Sequence, residues 1–161
     1  LILRKGGIAE GRGGFQIEAA RFWLFPTRFH AQREKTKPAA HRWFEPESAA
    51  APGSAPVTLR YFAEVVQTAF LDSWDAVLRL DTHHFWTEET LRERFDWARP
   101  AGLHALVVRV HTLAAPLSLP IDASMAGCKS WIDLPYSFDA HTSSPVLSDA
   151  IFSRRVAALS L

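Results

Sequence analysis

The chain opens with LILRKGGIAEGRGGFQIEAARFWLFPTRFH, residues 1–30, a stretch in which apolar runs alternate with glycines and cations. Its first four residues predict a short strand. The GRGG run at 11–14 predicts a turn, because glycine adopts positive φ angles without steric cost. The aromatic-rich segment 15–25 favours extended structure up to Pro26, which lacks the amide hydrogen that a β-ladder needs. The opening stretch therefore predicts strands joined by a basic glycine turn.

Two longer strands are predicted further along the chain, at residues 57–70 and 103–113. Each alternates its side chains between two faces, and in each strand both faces carry apolar groups. Such a sheet needs cover on both sides or closure on itself. Helices are predicted at 72–80, after a cap at Thr87 and after a cap at Ser148, because Ser and Thr side chains accept hydrogen bonds from the first amides of a helix.

These elements predict one α+β domain over residues 1–161, with a mixed, curved sheet or a partly open small β-barrel and about three helices. A segment rich in Pro, Ala and Ser at 36–56 predicts a mobile loop with a short helix near its start. The first residue, Leu1, already belongs to a predicted strand and is not Met, so we expect an N-terminally truncated chain.

The charge of the chain is distributed unevenly. Residues 1–45 carry nine Lys or Arg and four Asp or Glu, a net charge of +5, while the remainder carries nine against thirteen, a net charge of −4. A basic first third attracts phosphate, whereas the overall charge of +1 argues against a nonspecific polycation. The single cysteine excludes an intramolecular disulfide, and no apolar run approaches the ~20 residues of a membrane helix. We expect a cytoplasmic protein that does not enter a membrane.

Cations beside the first glycine turn form the first candidate site. Arg4, Lys5 and Arg12 lie near backbone amides that glycine leaves accessible, an arrangement that suits phosphate. The alternative is a hairpin whose basic side chains are solvated. The Gly-x4-Gly-Lys-Ser/Thr spacing of a P-loop is absent from the sequence.

The end of the opening stretch is the second candidate site. Phe25, Thr27, Arg28 and His30 place a ring, a hydroxyl, a guanidinium and an imidazole at a predicted strand end, and Trp23 precedes them. Such a rim can stack a nucleobase and hold its phosphate. The alternative is that the rings belong to the core and that Thr27 caps the next element.

The turn at 127–131, GCKSW, is the third candidate site. It presents the thiol of Cys128, the amine of Lys129 and the indole of Trp131 together. A catalytic cysteine needs an activating base or cation, which Lys129 or one of the seven histidines could supply, although no motif fixes which. The alternative is a structural or binding turn, because a free cysteine is usually a small buried hydrophobe.

The histidines do not form a metal-binding pattern. His83 and His84 are adjacent and therefore project in different directions, whereas zinc sites show spaced ligands. Arg109 and His111 share one face of a strand, where they either floor a pocket or mark the point at which the strand leaves the core. We expect neither a metal nor a cofactor.

Several short motifs resemble those of the uncharacterised bacterial family DUF1802. They cover nearly the whole chain and comprise LRKGGI at 3–8, FQIE at 15–18, FWLFPT at 22–27, His30, HHFWT at 83–87, LVVRV at 106–110, GCKSW at 127–131, PVLS at 145–148 and Phe152. The chain lacks the segment that precedes the first strand in that family, which agrees with the expected truncation. The resemblance implies a nucleic-acid role, because such domains are similar to partners of restriction-type endonuclease modules.

A second resemblance concerns the fold. Small β-barrels of the PUA and ASCH type bind RNA or modified bases, and the ASCH pattern is Gly-x-Lys-x-x-Glu-x-Arg. Lys5, Glu10 and Arg12 occur in that order here, but the first spacing is longer and the leading Gly is absent. The likeness is one of fold and does not by itself imply a function.

The sequence leads to the hypothesis of a nucleic-acid-binding module associated with restriction and modification, with an endonuclease or a methyltransferase as candidate partner. The residues expected to contact nucleic acid are Arg4, Lys5, Arg12, Trp23, Phe25, Thr27, Arg28, His30, Lys129 and Trp131. Two alternatives stay open. One is a small-molecule enzyme that uses the turn at 127–131, with Cys128, Lys129 and His111 in its site, and the other is an accessory domain that docks a protein partner.

Overall fold

A computed structural model describes residues 1–5, 20–25, 32–44, 56–97, 100–120, 133–134, 136–138, 141–159 and 161. Five strands and four α-helices lie in this part of the chain, together with 3-10 helices at Pro38–Trp43 and Asp81–His83. In chain order they are β1 (Ile2–Arg4), β2 (Arg21–Trp23), α1 (Gln32–Lys35), β3 (Val57–Leu71), α2 (Trp74–Leu78), α3 (Glu88–Asp96), β4 (Leu103–Leu119), β5 (Ser143–Pro145) and α4 (Asp149–Ala157).

The sheet is organised around β3 and β4. These strands pair antiparallel along their whole length, from Val57 opposite Leu119 to Leu71 opposite Leu103, with two shifts of register. Both strands carry several β-branched residues, and β3 carries aromatic residues as well, side chains that pack well on a pleated surface. β2 adds to the free edge of β3, while β1 and β5 add to the free edge of β4 at different points along it.

The main core lies where helices cover one end of the β3–β4 ribbon. Leu3, Leu71 and Leu103 from three strands meet Leu91 and Phe95 of α3 there. All five side chains are buried, and burial of each aliphatic or aromatic side chain stabilises the fold by roughly 1.5–3 kcal/mol. The end of β1 is therefore fixed against α3.

Local signals place the helices that form this cover. The hydroxyl of Ser73 accepts a hydrogen bond from the Ala76 amide at the start of α2, and that of Thr87 accepts one from the Thr90 amide at the start of α3. Gly102 follows α3 with a φ of +148°, and a Cβ at this position would collide with the ring of Phe70. Only glycine therefore fits the return from α3 into β4.

The α+β class predicted from the sequence is confirmed, but the sheet differs from the expected mixed or barrel-like one. All described pairings are antiparallel, and the sheet is open, with β1 and β2 at opposite edges of the β3–β4 ribbon. The reason is that β3 and β4 occupy each other's inner edge, so that β1 and β2 bond to the edges that remain. The two short strands of the opening stretch therefore do not pair with each other.

The predicted helix caps are confirmed at α3 and α4, where Thr87 and Ser148 accept hydrogen bonds from amides of the first turn. The helix predicted at 72–80 corresponds to the shorter α2. On α4 the apolar residue Ile151 is exposed and Phe152 is half-buried.

Two further predictions concern the connecting segments. Within the loop predicted at 36–56, Pro38–Trp43 forms a 3-10 helix with Ala40 buried, and residues 45–55 lie outside the described residues. β4 continues to Leu119 through the proline-containing segment, beyond the end predicted at residue 113. The likeness to PUA and ASCH barrels stays a prediction.

Candidate functional site

Positively charged side chains converge where β1 passes the outer side of α3. Two adjoining cavities of about 560 Å³ and 260 Å³ open there, and they share Lys5 and Arg94. We call the combined feature the basic cleft. Its lining consists of Leu1, Ile2, Leu3, Arg4, Lys5, Lys35, Trp86, Glu93, Arg94 and Trp97.

Two guanidinium groups are partly withdrawn from water in the basic cleft. The guanidinium of Arg94 lies 3.8 Å from the centre of the Trp86 ring, and both side chains are half-buried. Burial lowers the pKa of Arg94, the nearby positive charge of Arg4 lowers it further, and the carboxylate of Glu93 acts in the opposite direction. Burial also lowers the pKa of Arg4. A bound anion would reduce the cost of holding these two charges together.

Lys5 holds the floor of the basic cleft in place. Its ammonium donates hydrogen bonds to the carbonyl oxygens of Phe95, Pro100 and Gly102, at 3.1, 3.0 and 3.1 Å. A cation is favoured at this point because carbonyl oxygens at a helix C-terminus carry partial negative charge. Lys5 therefore joins β1 to the end of α3 and also adds positive charge to the cleft.

The wall of the cleft comes from α1 and from the end of α3. The Lys35 carbonyl accepts a hydrogen bond from the Thr87 amide at 3.0 Å, which fixes α1 beside the start of α3. Trp97 follows the last turn of α3 and is 83% exposed. Among the described residues, the cleft therefore combines four cations, one carboxylate and an accessible indole.

A second cluster lies on one face of the sheet, which we call the aromatic face. Residues that are direct partners across β2, β3 and β4 share a side of the sheet and form two adjacent rows there. One row is Trp23, Phe62 and His111, and the other is Arg21, Glu64 and Arg109. Phe138 stacks on the Trp23 ring at 4.6 Å between centres, and His141 meets the edge of that ring at 6.0 Å.

His111 is the titratable group at the centre of the aromatic face. Its ring stacks on Phe62 at 4.8 Å with an angle of 4° between the planes. Its Nε2 atom is buried, lies 3.7 Å from Oε2 of Glu64, and has no hydrogen-bond partner among the described residues. An imidazole nitrogen that lies near a carboxylate and has no hydrogen-bond partner among the described residues is placed where it could act as a base.

Arg109 connects the aromatic face to α4. Its guanidinium binds the carboxylate of Asp149 and the carbonyl of Leu147, and lies 4.7 Å from the centre of the Phe152 ring. Arg109 and His111 share a face, as the strand spacing predicts. Arg109 is therefore engaged in holding the start of α4 against the sheet.

The structure places the sequence-predicted residues in separate regions. Arg4 and Lys5 line the basic cleft, whereas Trp23 and Phe25 are half-buried at the opposite edge of the sheet, where Phe138 covers one face of the Trp23 ring. The remaining predicted residues lie outside the described residues, namely Arg12, Thr27, Arg28, His30, Cys128, Lys129 and Trp131.

Sequence reasoning missed four residues of the basic cleft: Lys35, Trp86, Arg94 and Trp97. Arg94 and Trp97 were detectable in part, because they fall outside the apolar stripe that α3 buries through Leu91 and Phe95. Their position next to β1 was not detectable from the sequence, because it depends on where α3 packs on the sheet.

Neither a metal-binding cluster nor a membrane-spanning helix is found in the described part of the chain. The residues described there hold no group of three or more His, Cys, Asp or Glu that could bind a metal ion. None of the described helices has both the length and the apolar character needed to cross a lipid bilayer.

Comparison with known proteins adds one finding. No curated protein and no solved structure matches this chain. The motifs quoted above and the match of a family model to residues 1–158 agree, and they show that the chain belongs to the domain-of-unknown-function family DUF1802.

Proposed function

We propose that this protein binds nucleic acid and that the phosphate groups of the nucleic acid lie in the basic cleft. The observation that carries the proposal is the pair of half-buried guanidiniums of Arg4 and Arg94, held close enough that one charge lowers the pKa of the other. Lys5 and Lys35 add two further cations along the same cleft. Phosphate is the ligand chemistry that such a row of cations favours, because Arg and Lys neutralise the phosphate backbone directly.

The shape of the cleft supports a polymer as the ligand. The two adjoining cavities are open to solvent, and their lining mixes charged groups with the rings of Trp86 and Trp97. Small-molecule pockets are usually more enclosed and mostly apolar. An open basic surface with interspersed rings is the arrangement by which proteins follow a nucleic-acid backbone.

Salt dependence tests the proposal directly. Fluorescence anisotropy with a labelled oligonucleotide is measured between about 50 and 200 mM salt, and log K is expected to fall with log salt by about 0.7–0.9 per phosphate contact. Arg94→Ala removes one contact and is expected to make the slope shallower by about one. A flat salt response, or no binding at the lowest salt, contradicts the proposal.

A matched control separates the cleft from the general charge of the chain. Arg155 is an exposed guanidinium on α4. Arg155→Ala removes the same charge and is expected to leave both affinity and slope close to those of the unchanged protein. An equal loss in both variants would place the binding elsewhere.

A small-molecule enzyme is the second candidate function, and one observation favours it. The buried Nε2 of His111, near the carboxylate of Glu64, is an arrangement from which a base can act. In this reading Cys128 is the nucleophile and Lys129 its cationic neighbour. A thiol-reactive probe near neutral pH labels an activated Cys128 rapidly, and slow labelling argues against this function.

The proposal extends to partners. Association with an endonuclease or methyltransferase follows from the resemblance of such domains to partners of restriction-type modules. Co-purification with the proteins encoded beside it tests the extension, and their absence from the purified complex contradicts it. The Trp43 and Phe85 rings, 5.0 Å apart and both exposed, are a surface on which a protein partner could dock instead.

A further inference from the structure

We propose that the basic cleft takes single-stranded nucleic acid, with an unpaired base stacked on Trp97 while the adjoining phosphates lie at Arg94 and Arg4. This inference rests on the proposed function and names its substrate class. It depends on where Trp97 lies relative to the cations and on how much of its ring is accessible.

Trp97 is the ring in the cleft that is placed to receive a base. It is 83% exposed, and it lines the same cavity as Lys5, Lys35 and Arg94. The Trp86 ring is half-buried and has the Arg94 guanidinium against one face at 3.8 Å. The two tryptophans of the cleft therefore have different roles. Trp86 positions the Arg94 guanidinium, and Trp97 offers an exposed ring on which a base can stack.

The exposure of an indole at this position carries an energetic argument. A Trp side chain buries ~150–250 Å² when it is covered, so an almost fully exposed ring forgoes a large apolar contribution. Stacking of one base on an aromatic side chain contributes about 1–3 kcal/mol and tolerates any base sequence. A ligand that carries both phosphate and an accessible planar ring satisfies the cations and Trp97 together.

Strandedness follows from which nucleic acids offer a free base face. In a duplex each base is stacked on its neighbours, so only the two ends expose a face. A single strand can turn one base out of its stack at a small cost and still keep its phosphates in contact with the cleft.

The test compares three labelled oligonucleotides of one length. They are a single strand, the same strand in a duplex, and a single strand of that length that carries no bases. The single strand is expected to bind at least about fivefold more tightly than the other two at one salt concentration. The abasic strand keeps every phosphate, so it reports the electrostatic part of the binding alone.

Variants assign the preference to one ring. Trp97→Ala is expected to weaken single-strand binding by about 5- to 150-fold, to leave duplex and abasic binding unchanged, and to abolish the preference. Trp97→Phe retains a stacking face and is expected to retain most of the preference. Trp43→Ala removes another exposed indole, which lies outside the cleft, and is expected to leave the affinity for all three oligonucleotides unchanged.

The outcomes distinguish this inference from the function on which it rests. Equal affinity for single strand and duplex, with a normal salt slope, overturns the single-strand inference and leaves the nucleic-acid proposal intact. The same holds if Trp97→Ala weakens all three ligands equally. Absence of binding to all three ligands overturns both.

Discussion

At the scale of single residues, His84 is the side chain whose protonation the fold resists most clearly. It is 7% exposed, and burial together with the positive charge of Lys37 lowers its pKa to about 4. Because the unfolded chain has the higher pKa, near 6.5, protonation favours unfolding. The contribution of His84 to stability is therefore complete above pH 6.5 and is lost as the pH falls toward 4.

The expected loss is up to about 3 kcal/mol in the free energy of unfolding between neutral pH and pH 4. Urea denaturation at a series of pH values measures it, and His84→Gln is expected to flatten the profile in that window. His83→Gln, at the half-buried neighbour, serves as the matched control. Asp81, whose pKa is lowered first by its hydrogen bond from Lys37, adds acid sensitivity only at still lower pH. An unchanged profile in His84→Gln would contradict the assignment.

Lys5 illustrates a residue that serves both the fold and the cleft. Its ammonium makes three hydrogen bonds to carbonyl oxygens in the last turn of α3 and in the segment that follows it, so Lys5→Met leaves these acceptors without their donor. The expected cost is about 1–3 kcal/mol in the free energy of unfolding. Lys35→Met removes the same charge from the same cleft and is expected to cost much less stability, while both weaken oligonucleotide binding. Equal stability of the two variants would show that the Lys5 bonds contribute little.

At the scale of elements, local sequence signals predict where a helix begins, but they do not predict how the strands are positioned against one another. Ser148 and Thr87 cap their helices with the geometry that their sequence positions predict, because a cap requires only the three residues that follow it. The extension of β4 through Pro116 depends on a register shift against β3, which no local pattern contains. The same limit hid the basic cleft, because Arg4 and Arg94 are brought together only by the packing of α3 against β1.

α3 gives an element-scale prediction, since its first turn also holds α1. The Thr87 hydroxyl accepts from the Thr90 amide at 3.3 Å and donates to the Lys35 carbonyl at 3.4 Å. Thr87→Ala is expected to lower the free energy of unfolding by about 0.5–2 kcal/mol and to weaken oligonucleotide binding, because Lys35 loses one of its supports. Thermal and urea denaturation check the first effect. Thr82→Ala, at an exposed position in the 3-10 helix Asp81–His83, is the control in which neither effect is expected.

At the scale of the whole molecule, the β3–β4 ribbon decides which surfaces can act together. The sequence predicts that cations and rings of the opening stretch contact the same nucleic acid, but β1 and β2 lie on opposite edges of the ribbon. Three steps between neighbouring strands separate them by about 14 Å across the sheet. They also lie at different heights, because β1 pairs with β4 near Ala105 whereas the β3 partners of β2 lie opposite Arg109 and His111. The basic cleft and the aromatic face are therefore two surfaces.

This separation predicts that the two surfaces contribute independently to binding. Trp23→Leu removes an indole from the aromatic face, and it is expected to change oligonucleotide affinity by less than about twofold, alone or combined with Arg94→Ala. Trp97→Ala combined with Arg94→Ala is expected to be non-additive, because both side chains line one cavity. Circular dichroism confirms that each variant is folded before its affinity is measured. If Trp23→Leu weakens binding as strongly as Trp97→Ala does, a ligand must span both edges of the sheet, and the basic cleft is then one end of a longer nucleic-acid track.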